Sequence, residues 1–137
     1  MRLHASCVAL NGRAVLIMGQ SGTGKSALAL QLMALGADLV SDDQTLLGIG
    51  ENGPAAAPPA PLRGLIEARG VGLLRVPPAD PAPVVLAVDL DQTETERLPH
   101  PRALDLLGTS VPLLHKVEGP HFAATLLEIL KGRTIVR

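Results

Sequence analysis

The chain has 137 residues, 47% of them apolar, and a formal net charge of −1. That composition describes a globular chain with a sizeable core rather than a disordered one. With no basic block, no Trp or Tyr and a single Phe, it offers neither the electrostatic footprint nor the stacking platform of a nucleic-acid binder.

His4 to Leu10 reads as a strand, and Asn11-Gly12 as a tight turn into a second, antiparallel strand over Arg13 to Met18. The one cysteine, Cys7, lies in the first of these and reads as a small core residue; a single thiol excludes an intrachain disulfide and an all-cysteine metal site. Ser26 to Leu35 is rich in strong helix formers and stops at Gly36. Ala37 to Ser41 predicts a short strand that delivers Asp42-Asp43 at its carboxyl end, the edge where open α/β sheets place ligands. Thr45 to Ile49 predicts a further strand before a turn at Glu51-Asn52-Gly53.

Pro54 to Pro61 contains four prolines, which are incompatible with helix interior and with a central strand, so it predicts a surface loop. Leu62 to Ala68 predicts a short helix or irregular segment, followed by a turn at Arg69 to Gly72 into Leu73 to Val76. Val84 to Val88 and Val111 to Val117 are strand-like, and Phe122 to Leu130 reads as an amphipathic helix. There is no internal repeat. No apolar run reaches the roughly 20 residues that span a bilayer, and no secretory segment opens the chain, so the expectation is no membrane and a reducing cytoplasmic compartment. Short apolar strands around one clear helix predict an α/β fold with a mixed sheet, organised as one domain over 1–137.

The segment Gly19-Gln20-Ser21-Gly22-Thr23-Gly24-Lys25-Ser26 is a complete G-x-x-x-x-G-K-[ST] phosphate loop. Its glycines let backbone N–H groups turn toward phosphate oxygens. Lys25 supplies a point charge for the outer phosphates, and the Ser26 hydroxyl can ligate Mg²⁺. The strand before it and the helix after it stand in the order a phosphate cradle requires. Such a loop needs an acidic partner for the metal and, in a kinase, a base for the substrate hydroxyl. Asp42-Asp43 offers two adjacent carboxylates, one for each task. Asp89, after Val84 to Val88, has by pattern the stronger likeness to a Walker-B aspartate. Aspartates at strand ends also serve simply as turn starters or caps.

Taken together, these segments resemble the catalytic domain of the HPr kinase/phosphorylase family. The resemblance runs from His4-Ala5-Ser6 through the phosphate loop and Leu39-Val40-Ser41-Asp42-Asp43 to Leu65-Ile66-Glu67-Ala68-Arg69-Gly70-Val71-Gly72-Leu73-Leu74, the most specific segment, with Arg97-Leu98 beyond it. It implies an ATP- and Mg²⁺-dependent kinase acting on a serine of the phosphocarrier protein HPr of a bacterial phosphotransferase system. Lys25 would bind nucleotide phosphates, and Ser26 and Glu67 would lie at the metal. Asp42 would accept the serine proton, with His4 orienting it, and Arg97 would stabilise the transferring phosphate. Glu67, Arg69 and Gly70 carry the signature. The resemblance further implies a homo-oligomer, typically a hexamer.

The departures also carry expectations. Met1 stands three residues before His4, which the resemblance reads as a short form without the family's N-terminal domain. Ala27 replaces a glutamate common after the loop serine, and Pro120-His121 stand where the family's dephosphorylation segment has Arg-Asn. Kinase activity is therefore expected to be stronger than phosphorylase activity. Two other functions compete with this one. A small-molecule P-loop kinase or NTPase would use Asp89, and a non-catalytic nucleotide-responsive module would only bind HPr.

Overall fold

A computed structural model describes residues 1–137. In chain order it contains β1 (Arg2–Leu3), β2 (Ala5–Leu10), β3 (Arg13–Met18), α1 (Lys25–Ala34), β4 (Asp38–Ser41), β5 (Thr45–Gly50), β6 (Gly53–Ala57), a 3₁₀ turn (Ala60–Leu62), β7 (Leu65–Ala68), β8 (Gly72–Arg75), β9 (Ala82–Thr93), β10 (Ala103–Leu106), β11 (Thr109–Lys116) and α2 (Phe122–Leu130). Nine strands form one mixed sheet, and β7 with β8 forms a separate hairpin.

At the centre of the sheet β3 runs parallel to β9, and β9 parallel to β11, while β2 is antiparallel to both β3 and β4. Asn11 and Gly12 both have positive φ, 53° and 74°, as the predicted two-residue turn between β2 and β3 demands. Because β2 enters where β3 ends (Ala5 opposite Met18), the start of β2 and the ends of β3, β4 and β9 share one edge.

Alternation along the strands divides the core in two. Val8, Val15, Ile17, Leu86 and Val88 pack under α1 and α2, where Leu32, Leu126 and Leu130 are fully buried. Ala5, Cys7, Ala9, Ala14 and Leu16 face the other way, toward Val40 of β4, Leu47 of β5 and Val111 of β11. Strands from opposite ends of the sheet thus share this second core, so the sheet curls over itself. The small side chains on that face let it do so. The register of β9 against β3 slips between Ala14 and Val15, with Val84 opposite Ala14 and Leu86 opposite Val15. That slip moves β9 from one core to the other: Val84 belongs to the strand-only core and Leu86 to the helix-side core.

The mixed sheet stands as expected, and Phe122–Leu130 is helical over its expected range. Two segments differ. The proline-rich stretch is not a surface loop: Gly53–Ala57 is a strand between β5 and β9, with Pro54 and Ala56 buried. Pro54 is the second residue of that strand, and β9 pairs with it only at Ala55 and Ala56, so the missing N–H breaks no ladder bond to β9. The segment before the Arg69–Gly72 turn is also extended rather than helical. Leu65–Ala68 pairs with Gly72–Arg75, and Gly64 at φ 73° turns the chain into it. The short strand Ala103–Leu106, paired with β11, has no clear sequence signal.

Cys7 is fully buried, and burial pushes its thiol pKa up, because a thiolate there would lose its hydration. Under native conditions Cys7 should react with a disulfide reagent ~10³-fold or more slowly than in the denatured chain, since it must await opening of the core. Rapid native labelling at neutral pH would contradict this packing.

Candidate active site

The strand-end edge gathers the polar residues. Gly19 leaves β3 with φ 152°, and the loop 19–24 ends on Gly24 at φ 100°, from which α1 begins. The glycines do two different jobs. A Cβ on Gly19 would lie 2.5 Å from Thr23 Oγ1, so this position must be bare for the loop to close on itself. Gly22 and Gly24 face open space, where a side chain would fill the cradle over the backbone. Lys25 is 7% exposed, and its Nζ donates to the carbonyls of Gly19 and Gln20 at 2.7 and 3.1 Å, holding the ammonium against its own loop.

Asp42 is the junction of the site. Its Oδ1 accepts hydrogen bonds from Ser6 Oγ and Ser26 Oγ, both at 2.7 Å, and its Oδ2 accepts one from the Glu67 backbone N–H at 3.0 Å. Each donor comes from a different element: β2, α1 and β7. The carboxylate is 6% exposed, so these bonds replace the water it has lost.

Asp43, one residue on, adopts φ 67°, an unusual backbone for a residue with a Cβ. Its Oδ1 lies 2.7 Å from His4 Nε2, with both side chains substantially exposed. An exposed pair of this kind adds little to stability. The structure therefore places His4 on Asp43, not on Asp42 as the sequence reading has it.

Period-two alternation in β7 explains the third wall. Ile66 is fully buried in the helix-side core, which turns Glu67 outward. Lys25, Ser26, Asp43, Glu67 and Arg69 line one cavity of about 420 Å³, together with Ser21, Gly22 and Gly24 of the loop. Gly70, at φ 83°, makes the hairpin turn behind them.

Arg97 does not line this cavity; it is exposed, in the segment after β9. Glu94, in the same segment, pairs with Arg102 rather than with Arg97. The Glu94 carboxyl is held below its ordinary pKa, first by the Glu96 amide and, against some desolvation, by the Arg102 guanidinium. Asp89 accepts from the Asp91 amide at 2.9 Å, while the Ser26 hydroxyl goes to Asp42.

Two contributors escape a reading by motif. Ser6 bridges the acidic pair, donating to Asp42 and accepting from the Asp43 amide at 3.2 Å; its only signal is a lone hydroxyl in an otherwise apolar strand. Asp91 Oδ1 accepts from the Gln20 amide at 2.9 Å, tying the end of β9 to the start of the loop. Nothing in the pattern separates Asp91 from an ordinary turn aspartate.

The model of the HPr serine kinase C-terminal domain family matches residues 1–79. The chain is 34% identical over 148 aligned residues to an HPr kinase/phosphorylase of Cupriavidus necator, an alignment that covers 98% of this chain and 46% of that protein. It is 34% identical over 124 residues to one from Caldicellulosiruptor bescii, covering 81% of this chain and 40% of that protein. The chain thus spans about half the length of the curated relatives it matches. Its fold is similar to the solved Hpr(Ser) kinase/phosphatase of Coxiella burnetii, with a TM-score of 0.79 over 96% of this chain and 94% of that one, at 24% identity.

The Asp91 contact yields a direct expectation. Asp91→Ala should speed hydrogen exchange at the Gln20 amide by about tenfold, with the core amides unchanged. Unaltered exchange at Gln20 would mean that Asp91 does not hold the loop.

Proposed function

The chain belongs to the HPr serine kinase C-terminal domain family, and from that premise we propose that it transfers the γ-phosphoryl group of ATP to a serine of the phosphocarrier protein HPr, with residues 1–137 acting as one catalytic domain. The observation that carries this reading is the convergence of Lys25, Ser26, Asp43, Glu67 and Arg69 on one cavity beside the loop. Phosphoryl transfer needs positioned cations, an aligned hydroxyl and a proton acceptor, with little covalent work by the protein.

The donor set suits magnesium. The Ser26 hydroxyl and the carboxylates of Asp42 and Glu67 are hard oxygen donors, and Mg²⁺ takes one or two carboxylates plus phosphate and water rather than an all-protein cage. Ser26 and Glu67 would hold the ion, with Asp42 fixing Ser26 from behind. Bound there, magnesium would neutralise phosphate charge as the bond to the leaving group breaks.

The two aspartates divide the remaining work. The resemblance gives proton acceptance to Asp42. The contacts favour Asp43: both oxygens of Asp42 already accept bonds from the protein, whereas Asp43 lines the cavity with His4 against its carboxylate. Asp43 would accept the serine proton, and His4 would hold the carboxylate in place. Arg69, on the cavity wall, supplies the guanidinium that the resemblance asks of Arg97.

A homo-oligomer, a cytoplasmic location and weaker phosphorylase than kinase activity belong to the same reading. The exposed Val71 and Leu73 of the β7–β8 hairpin support an association surface. No helix is long and apolar enough to cross a membrane. Against the small-molecule NTPase reading stands the bond from the Ser26 hydroxyl to Asp42, while Asp89 accepts from the Asp91 amide.

The test is to incubate the chain with its own organism's HPr, Mg²⁺ and γ-labelled ATP. Label should appear on an HPr serine, and Asp43→Asn should slow transfer by about 10²-fold or more while ATP still binds. Loss of transfer in Asp42→Asn with Asp43→Asn near normal would return the base to Asp42. ATP binding with no label on HPr would leave the non-catalytic module as the better reading.

A further inference from the structure

A fully buried hydroxyl sits behind the two aspartates. Ser6 alternates in phase with Val8 along β2, so it faces the helix side of the sheet. A serine commonly settles its hydroxyl on the backbone of its own neighbourhood. Ser6 instead reaches residues 36 and 37 positions away: it donates to Asp42 Oδ1 at 2.7 Å and accepts from the Asp43 amide at 3.2 Å. Its single donor and one of its lone pairs are thus used on two consecutive residues.

The strand pairing is built to allow this. Ala9 stands opposite Asp38 and Val8 opposite Leu39, and then the register slips, with Cys7 opposite Ser41 and Val40 as the extra residue. Carried on without the slip, the first register would set Ser6 opposite Ser41. Carried on after it, the second sets Ser6 opposite Asp42.

Asp43 needs to be held. The Gln44 amide donates to the Asp42 carbonyl at 2.7 Å, so Asp43 is the middle of a three-residue turn, and its φ is 67°. Positive-φ turns of this size are rare and strained. A non-glycine residue stays in one only where its surroundings over-determine it. Ser6 holds the turn at the Asp43 amide, His4 holds the Asp43 carboxylate, and the Ser41 hydroxyl donates to the Gln44 carbonyl. Of these three, only Ser6 bonds to both aspartates.

We propose that Ser6 is a positioning residue for phosphoryl transfer: by tying the Asp42 carboxylate to the Asp43 amide, it keeps Asp43 in the strained turn that presents its carboxylate to the cavity. The inference rests on the kinase reading with Asp43 as proton acceptor, and adds to it the residue that aims the acceptor. Ser6 does not line the cavity, so it acts through Asp43 and not on the substrate. Without the Ser6 hydroxyl, Asp42 keeps its bonds from Ser26 and the Glu67 amide, so the metal and phosphate side is left in place.

Ser6→Ala tests this, because it removes the hydroxyl and little volume. Hydrogen exchange on the ligand-free chain should quicken at the Asp43 amide by about tenfold, with the core amides of β2 and β3 unchanged. Transfer to HPr should fall about tenfold in kcat, with KM for MgATP within about threefold of wild type. In the Asp43→Asn background the same substitution should cost less than about threefold, since the group it aims is gone. Unaltered exchange at Asp43, a wild-type kcat, a raised KM with kcat held, or the full loss persisting beside Asp43→Asn would each overturn the role. A wild-type chain that transfers nothing to HPr, while exchange at Asp43 still quickens in Ser6→Ala, would sink the kinase reading and the role in transfer together and leave the clamp as structure alone.

Discussion

The site depends on one buried carboxylate. Asp42 joins β2, α1 and β7 through Ser6, Ser26 and the Glu67 amide. None of those elements is adjacent to the others in sequence, and the β7–β8 hairpin lies outside the main sheet. Removing the carboxylate would leave the Ser6 and Ser26 hydroxyls and the Glu67 amide without this acceptor, and an unsatisfied buried polar group costs about 1–3 kcal/mol. The same bonds set the distance between the Ser26 hydroxyl and the cavity wall that bears Glu67. Apolar packing supports them from below, because Ile66 anchors the hairpin in the helix-side core.

Topology explains why one sheet edge collects the chemistry. Parallel pairing of β3 with β9 puts their carboxyl ends together, and antiparallel pairing of β2 brings in its amino end. His4 and Ser6 therefore reach the aspartates at the end of β4, although more than 30 residues separate them in sequence. Asp91 near the end of β9 holds the Gln20 amide at the start of the loop from the other side. The loop is thus braced at both ends by carboxylates, with its two inner glycines, Gly22 and Gly24, left open to a ligand.

Much of this is legible in the sequence, for identifiable reasons. The loop, its flanking strand and helix, and the Asn11-Gly12 turn are local features, and local chemistry dictates them. Asp42 and Asp43 are visible as strand-end carboxylates, but the choice between them is not, because it turns on burial and on which donors a distant fold supplies. The extended conformation of Gly53–Ala57 was hidden for a similar reason: proline is excluded from a ladder only where its N–H is needed, and pairing at Ala55 and Ala56 makes no such demand at Pro54. Leu65–Ala68 is too short for periodicity to separate strand from helix. Ser6 and Asp91 act through contacts 36 and 71 residues away in the chain, beyond the reach of any local pattern.

The central claim is that Asp42 shapes the metal and phosphate site from behind. Calorimetric titration of ATP with and without Mg²⁺ tests it most directly, on the wild-type chain and on Asp42→Asn. The account predicts that magnesium tightens ATP binding in the wild type, and that Asp42→Asn loses most of that increment while keeping its metal-free affinity. An undiminished magnesium increment in Asp42→Asn would contradict it.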